Sequence, residues 1–270
     1  MSSTHMKRLL TSVVAIPLLV LLVVKGGRSS FSVLVGVAGI LGLLEYYTLF
    51  FSSARWDVRV VGILISVSAF WSLHWCDFEM MVMVWVIGFF LAAFLWFLDC
   101  RRGSLSKDFF SLQIAGLAYV TFLLGHLILI RQWDRGVGWV FFLLVVVFSG
   151  DTAAYYLGKQ FGRHKLSPNV SPGKTWEGAV GGLLGSLFGG ILFELFWSLE
   201  CTLVNVAFLA IPVAVLGQFG DLFESMLKRS VGRKDSGRLL PGHGGVLDRI
   251  DGLLFAIPVL YYSKIFLLGR

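Results

Sequence analysis

GWVFFLLVVVFSGDTAAYYL, residues 138–157, settles the fold class. Twenty helical residues at about 1.5 Å each span about 30 Å, the thickness of a bilayer's hydrocarbon core. Asp151 is the only charged residue among them. The apolar residues are contiguous and do not alternate, so the stretch reads as a spanning helix and not as a strand of a membrane barrel. Eight more runs have this character, at 9–25, 30–51, 59–76, 80–98, 109–130, 176–198, 201–222 and 252–268. Composition agrees: of the 270 residues, 57% are hydrophobic and 14% charged, with mean hydropathy +0.81. Soluble domains carry about 45–50% apolar and about 25% charged residues. A secreted disulfide scaffold, a disordered tail and an ordinary cytosolic enzyme are thereby excluded. The expectation is an all-α polytopic membrane protein, a bundle of about nine transmembrane helices with short loops.

Nine crossings make the connections alternate between the two sides. Counted that way, 17 of the 23 Lys and Arg residues fall on the side of the N-terminus and six on the other. The positive-inside rule then puts the N-terminus in the cytoplasm and the C-terminus outside. That bias also accounts for the net charge of +7, with attraction to anionic headgroups added to it and without nucleic acid as a partner. The cysteines Cys76, Cys100 and Cys201 are far apart and form no CxxC pair, so they read as buried thiols. Residues 1–5 read as an appended leader. Residues 6–137 hold the N-terminal spans, and 138–270 hold the C-terminal spans with cytoplasmic-side loops.

Charge at membrane depth is costly, so each such residue is a functional candidate. Glu45 and His126 lie inside apolar runs of the first half, where pairing with a neighbouring helix accounts for them. The second half carries three polar clusters. Ser149-Gly150-Asp151 ends the sixth span, with Asp151 and Tyr155 on one helical face. Ser171-Pro-Gly-Lys174-Thr175 forms a turn in which Thr175 can cap the next helix. Such a helix start suits an anion, with Lys174 adding charge, and it equally fits an ordinary capped loop.

The third cluster is SMLKRSVGRKDSGRLLPGHGGVLDRID, residues 225–251, preceded by Asp221. Asp221, Glu224, Ser225, Lys228 and Arg229 form one helical stripe. Asp248 and Asp251 are three apart and share a face. With Asp221 they make three carboxylates able to meet on one hard cation such as Mg²⁺. Glycines let a backbone approach phosphate closely. A solvated basic loop explains the lysines and arginines but not the aspartates beside the His243-Gly244-Gly245 turn. Acids, basic side chains and Gly-rich turns are the equipment of phosphoryl or nucleotidyl transfer. No Walker A, GxSxG or HExxH pattern is present.

This segment resembles the signature of the phosphatidate cytidylyltransferase (CDP-diacylglycerol synthase) family: Ser, then Lys228-Arg229, Lys234-Asp235, Pro241, His243-Gly244-Gly245, Asp248-Arg249 and Asp251. The 151–155 and 171–178 stretches are also similar to that family, which extends the likeness over the C-terminal half. The resemblance implies a membrane enzyme of phospholipid biosynthesis, in the cytoplasmic (inner) membrane with its active site facing the cytoplasm. Its reaction would be CTP + phosphatidate → CDP-diacylglycerol + pyrophosphate, with Mg²⁺ and a second cation. Asp221, Asp248 and Asp251 would hold the metal, and Lys228 and Arg229 would act on phosphates in the catalytic centre. Asp151, Lys174, Ser225, Lys234, Asp235, His243, Gly244, Gly245 and Arg249 would bind substrate. Competing readings are a CTP-dependent polyprenol or phytol kinase, an ether-lipid CDP synthase and an ion-coupled transporter. GGLLGSLFGG, residues 181–190, offers small residues for a homodimer contact or for packing within one chain.

Overall fold

Apolar length decides where the helices run, and small residues decide which of them approach closely. In a computed structural model, residues 17, 20–51, 55–103, 108–237, 239 and 244–269 are described. Eight helices among these are long and apolar enough to cross a membrane. They are α1 (Arg28–Phe50), α2 (Trp56–His74), α3 (Phe78–Arg101), α4 (Phe109–Gln132), α5 (Gly136–Phe161), α6 (Trp176–Trp197), α7 (Leu203–Ser230) and α8 (Leu247–Leu268). One hairpin, β1 (Lys165–Ser167) paired antiparallel with β2 (Ser171–Thr175), joins α5 to α6. The chain is thus an all-α multi-pass membrane protein. The first expected span, 9–25, lies mostly outside the described residues, although 20–25 are helical.

Two boundaries move outward from the hydropathy reading. α7 continues to Ser230, eight residues past the expected end, and α8 starts five residues early at Leu247. Hydropathy sees only the part of a helix that sits in hydrocarbon. The charged stripe on α7 and the aspartates of α8 extend these helices beyond it.

The chain forms two compact units, and the division falls inside α8. The first unit is Met1–Leu129 with Asp235–Arg249. In it, α1 buries Leu43, Tyr46 and Tyr47, and Tyr47 packs where α2 has Gly62. Arg55 pairs with Asp57 at 3.0 Å and Asp99 at 2.7 Å, and lies 4.3 Å over the Phe109 ring. One guanidinium so ties the starts of α2 and α4 to the end of α3. A π-helical stretch, Leu117–Phe122, widens α4, and Thr121 there meets the Ser66 hydroxyl at 2.7 Å. His126 bonds back to the Phe122 carbonyl of its own helix. The most apolar helix, α3, is also the least buried, with Val82, Phe90, Phe94 and Phe97 facing outward, the pattern of a lipid-facing helix.

The second unit is Ile130–Lys234 with Ile250–Arg270. α5 and α6 pack most closely because the 181–190 glycines accept α5 side chains. Gly181 lies against Leu157, Gly185 against Ala153 and Gly189 against Ser149. The small-residue stripe is therefore used within the chain. At one end of the unit, Trp133 stacks on Tyr261 with Lys264 4.8 Å over its ring. Arg135 bonds Ser198 and Glu200 there. The three cysteines are free thiols, but not buried ones as expected: Cys76 is exposed, and Cys100 and Cys201 are partly so.

Candidate active site

The acids of the second unit converge because helix backbones do. On α7, a Cβ at Gly220 would stand 2.7 Å from the Asp251 carbonyl oxygen of α8. One turn away, a Cβ at Gly252 would stand 3.3 Å from the Gly217 carbonyl. At Gly220 only glycine allows this approach, and it brings Asp221, the next residue, beside Asp251. From α5, Asp151 lies within electrostatic reach of Asp221, Asp251 and Lys174. Gln218 on α7 donates to the Ala179 carbonyl of α6 at 3.1 Å, which fixes α7 against α6 one turn from Asp221.

The positive charge comes from two directions. Lys174 at the end of β2 reaches Asp221 at 2.6 Å. Thr175 beside it caps α6 by accepting from the Gly178 N–H at 3.1 Å, as its place in the sequence suggested. Lys228 pairs with the buried Glu224 one turn earlier on α7 and also acts electrostatically on Asp251. Arg229 is exposed and holds the hairpin through the Val170 carbonyl at 3.4 Å and the α7 exit through Arg233. Ser225 is half-buried on the same helix, and Lys234 is exposed.

Three acids meeting one closely paired lysine leave local negative charge, and oxygen donors of this kind fit a hard divalent cation. Among the described residues no three His, Cys, Asp or Glu side chains are already drawn to one point at ligand spacing. Lys174 acts on both Asp221 and Asp151, which is the neutralisation a bound cation would otherwise supply.

The remaining signature residues belong to the first unit and form a loop stem. Asp248, in the first turn of α8, accepts the Gly245 N–H at 2.7 Å and the Ser236 N–H at 3.1 Å. Gly244 takes φ +81°, where a Cβ would also crowd the Asp248 carboxylate at 2.7 Å. Asp235 and Arg249 are exposed at the two ends of the stem. His243 lies outside the described residues. Glu45 of α1 is bound into the same stem: it accepts the Leu247 N–H at 2.8 Å and the Ser236 hydroxyl at 3.3 Å.

The structure thus brings Asp151, Asp221, Asp251, Lys174 and Lys228 together in one unit, and Asp235, Gly244, Gly245, Asp248 and Arg249 together in the other. Sequence reasoning did not find the partners of Glu45. It is an acid in an apolar helical segment, a visible signal, but the contact that explains it lies some two hundred positions away.

Fold and site define a class: a multi-pass membrane enzyme with an acid–lysine centre among its helices. The chain belongs to the cytidylyltransferase family, whose model matches residues 6–266, and it is accordingly a nucleotidyltransferase. A phosphatidate cytidylyltransferase from Staphylococcus saprophyticus is 34% identical over 260 residues, covering 94% of this chain and 96% of that protein. Proteins of the same name from Bacillus subtilis and Brucella suis are 42% and 47% identical over 145 and 155 residues, 54% of each.

Proposed function

We propose that the chain joins CTP to phosphatidate, giving CDP-diacylglycerol and pyrophosphate, at the cytoplasmic face of the inner membrane and with Mg²⁺. A phosphatidate phosphate oxygen forms a bond to the α-phosphorus of CTP. The bond from that phosphorus to the bridging oxygen breaks, and pyrophosphate leaves with the electron pair. The attacking phosphate is already anionic near neutral pH, so the chemistry needs alignment and charge neutralisation more than a strong base. The observation that carries the reading is the cluster of Asp151, Asp221 and Asp251 with Lys174 and Lys228.

In this reading Asp221 and Asp251 hold the cation, with Asp151 beside them. The third acid of the signature, Asp248, has its oxygens oriented by backbone N–H groups, as metal-ligating carboxylates commonly are. Such a cation would supply charge neutralisation on the phosphates. Lys174, paired with Asp221, and Lys228, paired with Glu224, would contribute positive charge to phosphate oxygens. Arg229, Lys234 and Arg249, all exposed, contact outer phosphate oxygens. Ser225 would bound the nucleotide, and the family signature implies the same part for Asp235, His243, Gly244 and Gly245.

Label position tests the reaction. Purified protein given phosphatidate, Mg²⁺ and CTP labelled in the cytidine ring should place label in lipid. Label entering lipid only from γ-phosphate would establish a lipid kinase in its place. Lipid-independent ion flux in proteoliposomes with no CTP turnover would establish a transporter.

A further inference from the structure

Glu45 stands in an unfavourable place three times over. It lies in an apolar spanning helix, near the C-terminal end where the helix dipole repels an anion, and it is only 5% exposed. A carboxylate so placed is kept by what it binds. Its Oε2 takes the Leu247 N–H and the Ser236 hydroxyl, one from each side of the loop stem. Asp248 takes the Ser236 and Gly245 N–H groups. Two carboxylates therefore grip the same two segments, 236 and 245–247, and hold them together. The fit leaves no spare room: a Cβ at Gly237 would lie 2.3 Å from Glu45 Oε1, and one at Gly245 would lie 2.4 Å from Oε2. Both glycines of the stem are shaped around this one side chain.

We propose that Glu45 is a positioning residue for the nucleotide: through Leu247 and Ser236 it sets the geometry of the signature stem, residues 236–237 and 244–247, and of Asp248. This gives the N-terminal helices a part in the chemistry, which otherwise resides wholly in the C-terminal half. The proposal rests on the cytidylyltransferase reading for its kinetics but not for the clamp itself. Without Glu45 the buried Leu247 N–H has lost its acceptor and the stem is held from one side only. Glutamine keeps one acceptor oxygen, which at the Oε2 position can accept both the Leu247 N–H and the Ser236 hydroxyl. Alanine keeps neither.

The experiment compares parent, Glu45→Gln, Glu45→Ala and Ser236→Ala, each purified as the full chain. Glu45→Ala should lower kcat by at least about 30-fold and raise KM for CTP about tenfold, with KM for phosphatidate within about twofold. A smaller folded fraction would change neither KM. Glu45→Gln should stay within about fivefold of the parent in both parameters, and Ser236→Ala, which removes one bond of the clamp, should fall between. Limited trypsin digestion after Lys234 reports the clamp without any activity: it should speed up in Glu45→Ala and not in Glu45→Gln. Unchanged digestion of Glu45→Ala overturns the clamp. Faster digestion with parental kcat and KM for CTP overturns the positioning role. A parent that makes no cytidine-labelled lipid refutes the proposed function instead, and the digestion comparison still decides the clamp.

Discussion

Replacing Gly220 by alanine tests whether helix approach creates the acid cluster. The new Cβ would lie 2.7 Å from the Asp251 carbonyl oxygen, a shortfall of about 0.7 Å against the 3.4 Å of ordinary contact. The obstacle is backbone, and the next nearest atom, Phe255 Cβ at 3.1 Å, is too close to its own helix to swing away. α7 must therefore move off α8 by a good part of that distance, taking Asp221 with it. A displacement of about 1 Å at a reacting centre can cost about 100-fold, so a shift of this size should lower kcat by roughly 10- to 100-fold. Overpacking would destabilise by about 1–3 kcal/mol, and the better helix propensity of alanine would return up to about 1 kcal/mol.

Gly217 supplies the control on the same face of the same helix. There a Cβ meets the Gly252 carbonyl at 3.6 Å and Ala256 at 3.8 Å, both ordinary contacts. Gly217→Ala should stay within about threefold of the parent, less than 1 kcal/mol in barrier. The assay is cytidine label entering phosphatidate-derived lipid, with thermal melting in detergent run alongside. Equal activities for the two variants would show that close approach at Gly220 does not set the geometry of Asp221 and Asp251.

Asp221→Asn and Asp251→Asn should each lower turnover by at least about 1000-fold while membrane insertion persists, and extra Mg²⁺ should not restore it; near-parental turnover in either would remove that residue from the cation site. A cysteine replacing exposed Lys165, with Cys76, Cys100 and Cys201 changed to serine, should react with an impermeant maleimide only after cells are opened; labelling of intact cells would reverse the orientation. Partial burial, reinforced by the nearby Glu194 carboxylate, pushes the Cys201 thiol above its ordinary range, so less thiolate is present at any given pH and iodoacetamide should modify it more slowly than a small free thiol near pH 8; equal rates would contradict its partial burial.

How much of this was legible in the sequence depends on the range of the interaction. Helix positions follow from contiguous apolar residues, a local property, so eight expected spans reappear with shifts only where charge lets a helix leave the bilayer. The Thr175 cap is equally local, since the hydroxyl meets an N–H three residues on. The stripe Asp221–Glu224–Lys228 is fixed by helical period. The third member of the acid cluster is not local: Asp151 joins Asp221 because α5 and α7 both pack on the glycine face of α6, which no spacing rule reports. Glu45 is the extreme case. Its isolation in an apolar run flagged it, but a stem closed by Leu247 and Ser236 is invisible until the chain is folded.

The glycines carry an argument that composition alone hides. A helix of small residues inside a membrane is ordinarily read as a packing device, because lipid gives helices no hydrophobic reason to associate. Here the same device also concentrates charge. Backbones that approach closely bring Asp221 and Asp251 side by side, and carboxylates in such an arrangement repel one another strongly in a poorly screened setting. The ion pair from Lys174 relieves part of that repulsion at 2.6 Å, and the remainder favours any cation that enters. Affinity for a cation and for the phosphates it carries is in this way a consequence of helix packing. Variants that loosen Gly220 or Gly252 should weaken Mg²⁺ activation before they unfold the protein, whereas enlarging Gly138, whose Cβ would lie 2.7 Å from Leu199 and which is thirteen residues from Asp151 on α5, should lower thermal stability while leaving the Mg²⁺ dependence of the surviving activity unchanged.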